Sequence, residues 1–217
     1  MSTYAIIPAR GGSKGVHKKN LHPLNGKPLL YYSITAALKA SLIDEVYVSS
    51  DDDEILDYAK SIGAKTIKRP AELSTDTSSS EDALIHFAQN VEFENLIFLQ
   101  ATSPLMTPEI LDDALGVFIS QDYTSVVSVF EDHGFWWYHD EPLYNPMKRH
   151  MRQENKHKKY KESGMFYITS KKDLLYSGCR FSGKAHSFVH SKIVGYDIDD
   201  LDDFKIVESI MEKINVV

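Results

Sequence analysis

The chain has 217 residues, 42 % of them apolar and 25 % charged, with a formal net charge of −7. That length suits one sizeable α/β domain with a small appendage, and the acidic balance argues against a general nucleic-acid binder. No apolar run approaches the roughly eighteen residues of a membrane span, the start has no signal-peptide pattern, and the single cysteine, Cys179, excludes an internal disulfide and a multi-cysteine zinc site. The expectation is a cytoplasmic protein with no membrane partner.

In chain order the first element is a short apolar strand, Ala5-Ile6-Ile7. It breaks into Pro8-Ala9-Arg10-Gly11-Gly12-Ser13-Lys14-Gly15 and then Val16-His17-Lys18-Lys19-Asn20. Glycine lets such a loop bend and expose backbone N–H groups, and Arg10, Lys14, Lys18 and Lys19 add positive charge. A nest of amides and cations suits a polyphosphate. Two better-known phosphate loops are excluded by spacing. A Walker loop needs its lysine after the last glycine, whereas Lys14 precedes Gly15. The dinucleotide fingerprint leads straight into a helix, whereas Pro23 separates these glycines from the next helical run.

Pro28 to Ala40 reads as a helix, with Leu29, Leu30, Ile34, Ala37 and Leu38 at helical spacing. Glu45 to Ser49 reads as a strand. Asp51-Asp52-Asp53-Glu54 then loads negative charge onto the start of a helix that runs to about Ile62 and stops at Gly63; for these acids capping and dipole compensation outweigh a metal site. A short strand at 65–67 leads through Arg69-Pro70-Ala71-Glu72-Leu73 into Thr75 to Asp82, which is rich in capping side chains. Leu84 to Ala88 lies on a helix, and Leu96 to Leu99 is an apolar strand. Its polar tip, Gln100-Ala101-Thr102-Ser103-Pro104-Leu105, stands where open α/β sheets bind ligands. Gln100 is therefore expected to touch a ligand, with Thr102 and Ser103 as helpers or helix caps. Pro108 opens another helix, and Ser125 to Val129 supplies a further strand. The alternation predicts an α/β fold, a mainly parallel open sheet with helices on both faces.

From 131 to 161 the alternation fails. Phe135-Trp136-Trp137-Tyr138 is aromatic, Pro142 and Pro146 interrupt, and His150-Met151-Arg152-Gln153 precedes a basic run to Lys161. These aromatics need cover, either in the core of this chain or against a second subunit. Strand character returns at Gly164 to Ile168, a helical turn follows at Lys171 to Leu175, and Arg180 to His186 reads as a loop. In Ile193-Val194-Gly195-Tyr196-Asp197-Ile198-Asp199-Asp200, a period of two puts Asp197 and Asp199 on one face of a strand end. Carboxylates so placed repel unless neutralised, and Mg²⁺ is the obvious cation, with Mn²⁺ as its alternative. The competing reading is a solvated turn in which Asp202 and Asp203 cap the last helix, Phe204 to Ile214. That capping reading is taken for Asp202 and Asp203.

The stretch Ile7 to Gly15, followed by Lys19-Asn20-Leu21 and Asn25-Gly26-Lys27-Pro28-Leu29, closely resembles the opening of the acylneuraminate cytidylyltransferases, the CMP-sialic acid synthetases and their relatives that activate other nine-carbon sugar acids. Arg69 to Leu73 with Asp76-Thr77-Ser78-Ser79-Ser80, Leu99 to Leu105, and Asp197-Ile198-Asp199 before the last helix extend the resemblance over nearly the whole chain. It implies a Rossmann-like nucleotidyltransferase domain at 1–130 and 164–217, with an inserted arm at 131–163 that packs on a partner subunit in a homodimer. It implies transfer of CMP from CTP to the anomeric hydroxyl of a 2-keto sugar acid, with release of pyrophosphate. Arg10 and Lys19 take the triphosphate. Ala9, Gly11, Gly12, Ser13, Lys14, Asn20, Arg69 and Ser80 complete the nucleotide site. Asp197 and Asp199 hold Mg²⁺, and Gln100, Thr102, Ser103, Arg152, Gln153 and Lys161 face the sugar. The chain departs from the sialic acid enzymes where the sugar is read: Trp136-Trp137 replaces a basic residue, and Lys161-Glu162-Ser163-Gly164-Met165 stands for Arg-Pro-Asn-Gly-Ala. Sialic, pseudaminic and legionaminic acids therefore remain alternatives. The rival readings are activation of an eight-carbon keto acid or a sugar phosphate on the same fold, and a nucleotide-binding relative that has lost the reaction.

Overall fold

The structure, a computed structural model, describes residues 1–12, 15–149, 151 and 159–214. Seven strands form the main sheet: β1 (Thr3–Pro8), β4 (Glu45–Ser50), β5 (Lys65–Lys68), β6 (Asn95–Leu99), β7 (Ser125–Asp132), β10 (Lys159–Ser170) and β11 (Ala185–His190), in the spatial order β11-β7-β10-β6-β1-β4-β5. β10 alone runs antiparallel to its neighbours β6 and β7; the remaining pairs are parallel. Two small hairpins, β2 (Pro23–Leu24) with β3 (Lys27–Pro28) and β8 (Trp137–Tyr138) with β9 (Glu141–Pro142), stand apart from it. The helices are α1 (Leu29–Lys39), α2 (Asp53–Ser61), α3 (Ser80–Asn90), α4 (Pro108–Ser120), α5 (Lys171–Ser177) and α6 (Leu201–Ile214). Among the described residues no helix is long and apolar enough to cross a membrane.

Alternation along the central strands builds two core layers. In β1, Ala5 and Ile7 join Leu30, Ile34 and Ile97 on one face, while Ile6 joins Phe87 and Phe98 on the other. From β1 the chain steps outward to β4 and β5, then returns to place β6 on the opposite side of β1. That reversal opens a crevice at the carboxyl ends of β1 and β6, where Arg10 and Gln100 emerge. A third cluster, Val16, Leu24, Leu29, Leu105, Ile198, Phe204, Val207 and Met211, fastens α6 beneath the loop that follows β1.

Local capping explains most helix starts. Asp52 caps α2 by accepting from the N–H groups of Glu54 and Ile55, and Ser79 with Asp82 forms a reciprocal capping box on α3. The four acids Asp51 to Glu54 are thus absorbed: Asp51 accepts from Gly11 N–H at 3.0 Å, while Asp53 and Glu54 pair with Lys68 and Lys18. The last helix meets the capping expectation at Asp203 and departs from it at Asp202. Its cap is Asp200, whose side chain accepts from Asp202 and Asp203 N–H, while Asp203 reaches back to Asp199 and Asp200 N–H. Asp202 only pairs with Lys205.

Two further expectations need correction. Residues 185–190, read partly as loop, form β11, because Phe188 packs on the core against Phe166 and the strand pairs with β7. Conversely, 193–199 is not a strand end: it is a turn and an extended segment whose Ile198 N–H donates to the Thr102 carbonyl at 2.9 Å. Strand-like alternation arose there because Ile198 is buried between two aspartates, whatever the pairing.

On the sheet face beside α3, the Arg180 guanidinium donates twice to Glu81, at 2.6 and 2.8 Å, and stacks 4.8 Å from the Phe98 ring and 4.7 Å from Tyr167. This hydrogen-bonded guanidinium holds the Glu81 carboxyl below its ordinary range. A depressed carboxyl stabilises the fold above its unfolded pKa and loses that contribution as pH falls through the folded value. Arg180→Leu is therefore expected to cost about 2–3 kcal/mol at pH 7, slightly under the usual range for breaking a buried pair because Glu81 is partly exposed. In denaturant titrations the difference from the unsubstituted protein shrinks as pH drops below 4.

Candidate active site

Three recesses meet at the crevice. The largest opening on the loop side, about 420 Å³, is lined by Arg10, Lys19, Asn20, Arg69, Ser80 and Asp199, with the 73–79 loop forming its outer wall. A small recess of about 150 Å³ lies between Asn20, Ser80, Phe98 and Gln100. A second cleft of about 480 Å³ is lined by Gln100, Lys161, Glu162, Lys192, Asp197 and Asp199. Asp199 faces both larger clefts, and Gln100 borders both the small recess and the second cleft.

The loop after β1 is shaped by close contacts. A Cβ at Gly11 would lie 2.7 Å from the Asp52 carboxylate, and one at Gly15 would lie 2.7 Å from the Asp199 carbonyl oxygen. Gly15 therefore permits the loop to rest directly on the Asp197–Asp199 segment, a role that its spacing alone does not disclose. Asn20 braces the loop from within by donating to the Arg10 carbonyl at 3.0 Å. Ala9 is buried beneath it, and Gly12 lines the first cleft. Ser13 and Lys14 lie outside the described residues.

The cations are already engaged. Arg10 Nη1 donates to the Thr75 carbonyl at 2.8 Å and lies 3.1 Å from Asp76 Oδ1. Lys19 Nζ donates to the Ile198 carbonyl at 2.9 Å and stands 3.4 Å from Asp199 Oδ1. Arg69 is 5 % exposed; its Nε donates to Ser74 Oγ at 2.8 Å, and its backbone N–H extends the β4 edge by donating to Ser50.

The two aspartates differ. Asp199 is exposed and shared with Lys19. Asp197 is largely buried, and its Oδ1 has no hydrogen-bond partner among the described residues. Burial pushes its carboxyl above the usual aspartate range; the Thr102 hydroxyl and Lys19 oppose the shift, and Asp199 and Asp203 reinforce it. An orphaned carboxylate oxygen facing a second carboxylate suits a hard divalent cation. Among the described residues no group of three or more His, Cys, Asp or Glu side chains forms a cage, so such an ion would need ligand oxygens as well.

Of the expected sugar contacts, Gln100 and Lys161 line the second cleft, and Thr102 lines the first and donates to Gln100 Oε1 at 3.3 Å. Ser103 is fully buried, its hydroxyl has no hydrogen-bond partner among the described residues, it lines neither cleft, and the cap of α4 is Thr107. Arg152 and Gln153 lie outside the described residues. Sequence reasoning missed Asp76, Lys192 and the Glu162–Tyr167 pair. The Arg-Pro-Ala-Glu-Leu loop could have pointed to Asp76; no periodic signal marks Lys192, which sits on a turn.

Of the described residues in the 131–163 segment, Ser163 is buried against Ser128 and the aromatic ones stay off the core. β7 and β10 extend into the segment from either end, with Lys159 opposite Asp132, and the β8–β9 hairpin stands between them. Phe135 packs at a tilt of 58° against Tyr144, with the Arg149 guanidinium 4.3 Å from the Phe135 ring. Trp136 and Trp137 remain 41 % and 55 % exposed in the single chain.

Residues 4–209 match the profile of a family described as Cytidylyltransferase. The chain is 33 % identical to a pseudaminic acid cytidylyltransferase of Campylobacter jejuni over 99 % of this chain and 98 % of that protein. It is 37 % identical to N-acylneuraminate cytidylyltransferase A of Danio rerio over 94 % of its own length, yet spans only about half of that relative, 49 %. Its fold is that of CMP:2-keto-3-deoxy-manno-octonic acid synthetase complexed with CTP, with a TM-score of 0.76 and 20 % identity over 98 % of this chain and 99 % of that one.

The orphaned carboxylate carries a stability signature. A carboxyl whose folded pKa lies above its unfolded value costs stability when ionised, fully above the folded value and not at all below the ordinary 3.8. Asp197→Asn is thus expected to raise the melting temperature of the ligand-free protein at pH 7–8 in the presence of chelator. The gain fades toward pH 3.5, as thermal unfolding across a pH series will show.

Proposed function

The chain belongs to the cytidylyltransferase family, and from that premise we propose that it transfers CMP from CTP to the anomeric hydroxyl of a nine-carbon 2-keto sugar acid, releasing pyrophosphate. The observation that carries the reading is the position of Asp199, on the boundary between a cation-lined cleft and a second cleft of similar size. Such a boundary is where a phosphorus atom and its nucleophile would meet.

In this reading the small recess between Phe98, Asn20 and Ser80 takes the single-ring base, and Arg69 lies toward the ribose. Arg10 and Lys19, with Lys14 beyond the described residues, hold the triphosphate. The reaction is an in-line displacement: the sugar oxygen bonds to the α-phosphorus, the bond to the bridging oxygen of the departing pyrophosphate breaks, and the hydroxyl proton is lost. Catalysis then consists of alignment and of neutralising charge as it develops on the leaving oxygens. Arg10, released from Asp76, and Lys19, released from Asp199, supply that neutralisation. Gln100 and Lys161 orient the sugar acid from the far wall.

Asp197 and Asp199 would hold Mg²⁺, or Mn²⁺, together with phosphate oxygens. When bound, the ion screens the triphosphate and lowers the pKa of an adjacent hydroxyl. The buried, partnerless Oδ1 of Asp197 supports that assignment. The single cysteine supports a cytoplasmic setting.

The arm belongs to the same proposal. Two half-exposed tryptophans beside Phe135 form a surface that a monomer would not leave in water, and a two-fold dimer is the simplest closed arrangement that covers it. Arg149 would then approach the partner's sugar cleft; Arg152 and Lys158, expected to join it, lie outside the described residues.

Pyrophosphate release from CTP with a panel of nonulosonic acids tests the function; silence with every acid defeats it. In that assay Asp199→Asn is expected to lower turnover by at least about a hundredfold, the scale of losing one charge-stabilising group, with the folded state unaltered by circular dichroism. For the assembly, light scattering at micromolar concentration is expected to report a dimer. Trp136→Ala with Trp137→Ala shifts it toward monomer, since each side chain contributes up to a few kcal/mol when buried, while calorimetric titration shows CTP binding retained.

A further inference from the structure

β10 changes register against β7 between Glu162 and Tyr167: Glu162 lies opposite Val129 and Tyr167 opposite Val127. Five positions on one strand therefore span two on the other, a wide bulge of the kind that re-aims side chains beside sites. Gly164 within it has φ +77° and packs against Gln100, where a Cβ would sit 3.2 Å from the amide nitrogen. The bulge turns Lys161 and Glu162 toward the second cleft.

The cleft has two electrical poles. Lys161 and Lys192 supply the positive one, their ammonium groups lying 5.8 Å from the Trp136 ring and 5.6 Å from the Phe130 ring. Neither makes an ion pair among the described residues. Glu162 supplies the opposite pole. Its Oε2 accepts from the Tyr167 hydroxyl at 3.0 Å across the bulge, and among the described residues it has no cationic partner. Tyr167 is buried, and burial with the adjacent Glu162 pushes its pKa up to about 12 against the opposing pull of Arg180, so near neutral pH the hydroxyl keeps the proton that it donates to Glu162. The other carboxylates of the cleft have different work: Asp199 borders the first cleft as well, Asp197 is largely buried beside it, and Asp203 caps α6. An ionised carboxylate accepts and never donates. Whatever ligand group lies against Glu162 must bring an N–H or O–H, and a carbonyl or carboxylate there would meet uncompensated repulsion.

Resting on the function proposed above, we infer that Glu162, oriented by Tyr167, is the specificity residue of the sugar cleft and selects nine-carbon acids that present a donor, above all an amide N–H, at the end remote from their own carboxylate, which the lysines take. A site built to hydrogen-bond a donor rejects the analogue that lacks it far more strongly than an apolar pocket rejects a missing methylene.

Initial rates of pyrophosphate release with CTP are compared for matched pairs of nine-carbon 2-keto acids, alike except that one carries an acetamido group where the other carries hydrogen. The unsubstituted enzyme is expected to favour the acetamido acid at least tenfold in kcat/KM. Glu162→Ala reduces that preference to within about twofold, with the loss in KM for the acid and not in KM for CTP. Tyr167→Phe, which keeps the packing and frees the carboxylate, removes part of the preference and serves should the alanine variant fail to fold. Retention of the full preference in both variants overturns the inference while leaving cytidylyl transfer standing. An enzyme that turns over CTP with none of the acids overturns the inference and the function beneath it together.

Discussion

Ile198 is the point on which the site depends. Its side chain is fully buried among Val16, Leu24, Leu29 and Phe204, its N–H donates to the Thr102 carbonyl, and its carbonyl accepts from Lys19. One residue thereby ties together the loop after β1, the tip of β6 and the start of α6, three segments far apart in the chain. The aspartates on either side inherit that placement. Neither side chain is needed to hold the backbone, a task left to an apolar anchor and two main-chain hydrogen bonds. The segment is irregular, yet this anchoring fixes its path as regular structure would.

The same segment explains why glycine occurs at 15. A loop carrying several cations would ordinarily be held off an acidic segment by side-chain bulk and joined to it by water. Here the absence of a Cβ lets main chain rest on main chain, and Lys19 closes the contact with a charged hydrogen bond. Arrangement and electrostatics reinforce one another: the approach puts Lys19 beside Asp199, and Lys19 in turn opposes the upward drift that burial imposes on the Asp197 carboxyl.

Much of this architecture was legible from residue pattern. The alternation of apolar runs with capped helices marked β1, β4, β6, α1, α2 and α4 to within a residue or two, because the helices bury one periodic face and the central strands β1 and β6 bury both. The acids at 51–54 were rightly read as helix-start chemistry, and Asp52 is the cap. The second half was harder for a physical reason. Whether a two-residue period is a strand depends on a neighbour that pairs with it, and nothing within 193–199 reveals that Ile198 pairs with Thr102 by a single bond while β11, seven residues earlier, takes the sheet edge. Ser103 misled for a related reason: a hydroxyl at a strand tip is polar in sequence, but the following turn folds over it. Lys192 escaped notice because a turn, which is not periodic, directs it to the cleft; Glu162 stood in a stretch read as sugar-facing, but its bond to Tyr167 across the bulge was not legible.

Three cations in and beside the loop after β1 already have a carboxylate at hand: Arg10 has Asp76, Lys19 has Asp199, and Lys18 has Glu54. An anion arriving there does not meet a bare positive array; it takes the place of carboxylates that must themselves find new company. Ionic strength then weakens the pairs that are lost as well as those that are gained. A cleft of this kind is nearly balanced in charge before and after it fills, so its affinity for a nucleotide rests on a difference between two sets of ion pairs, and simple counting of lysines and arginines overstates how steeply that affinity responds to salt.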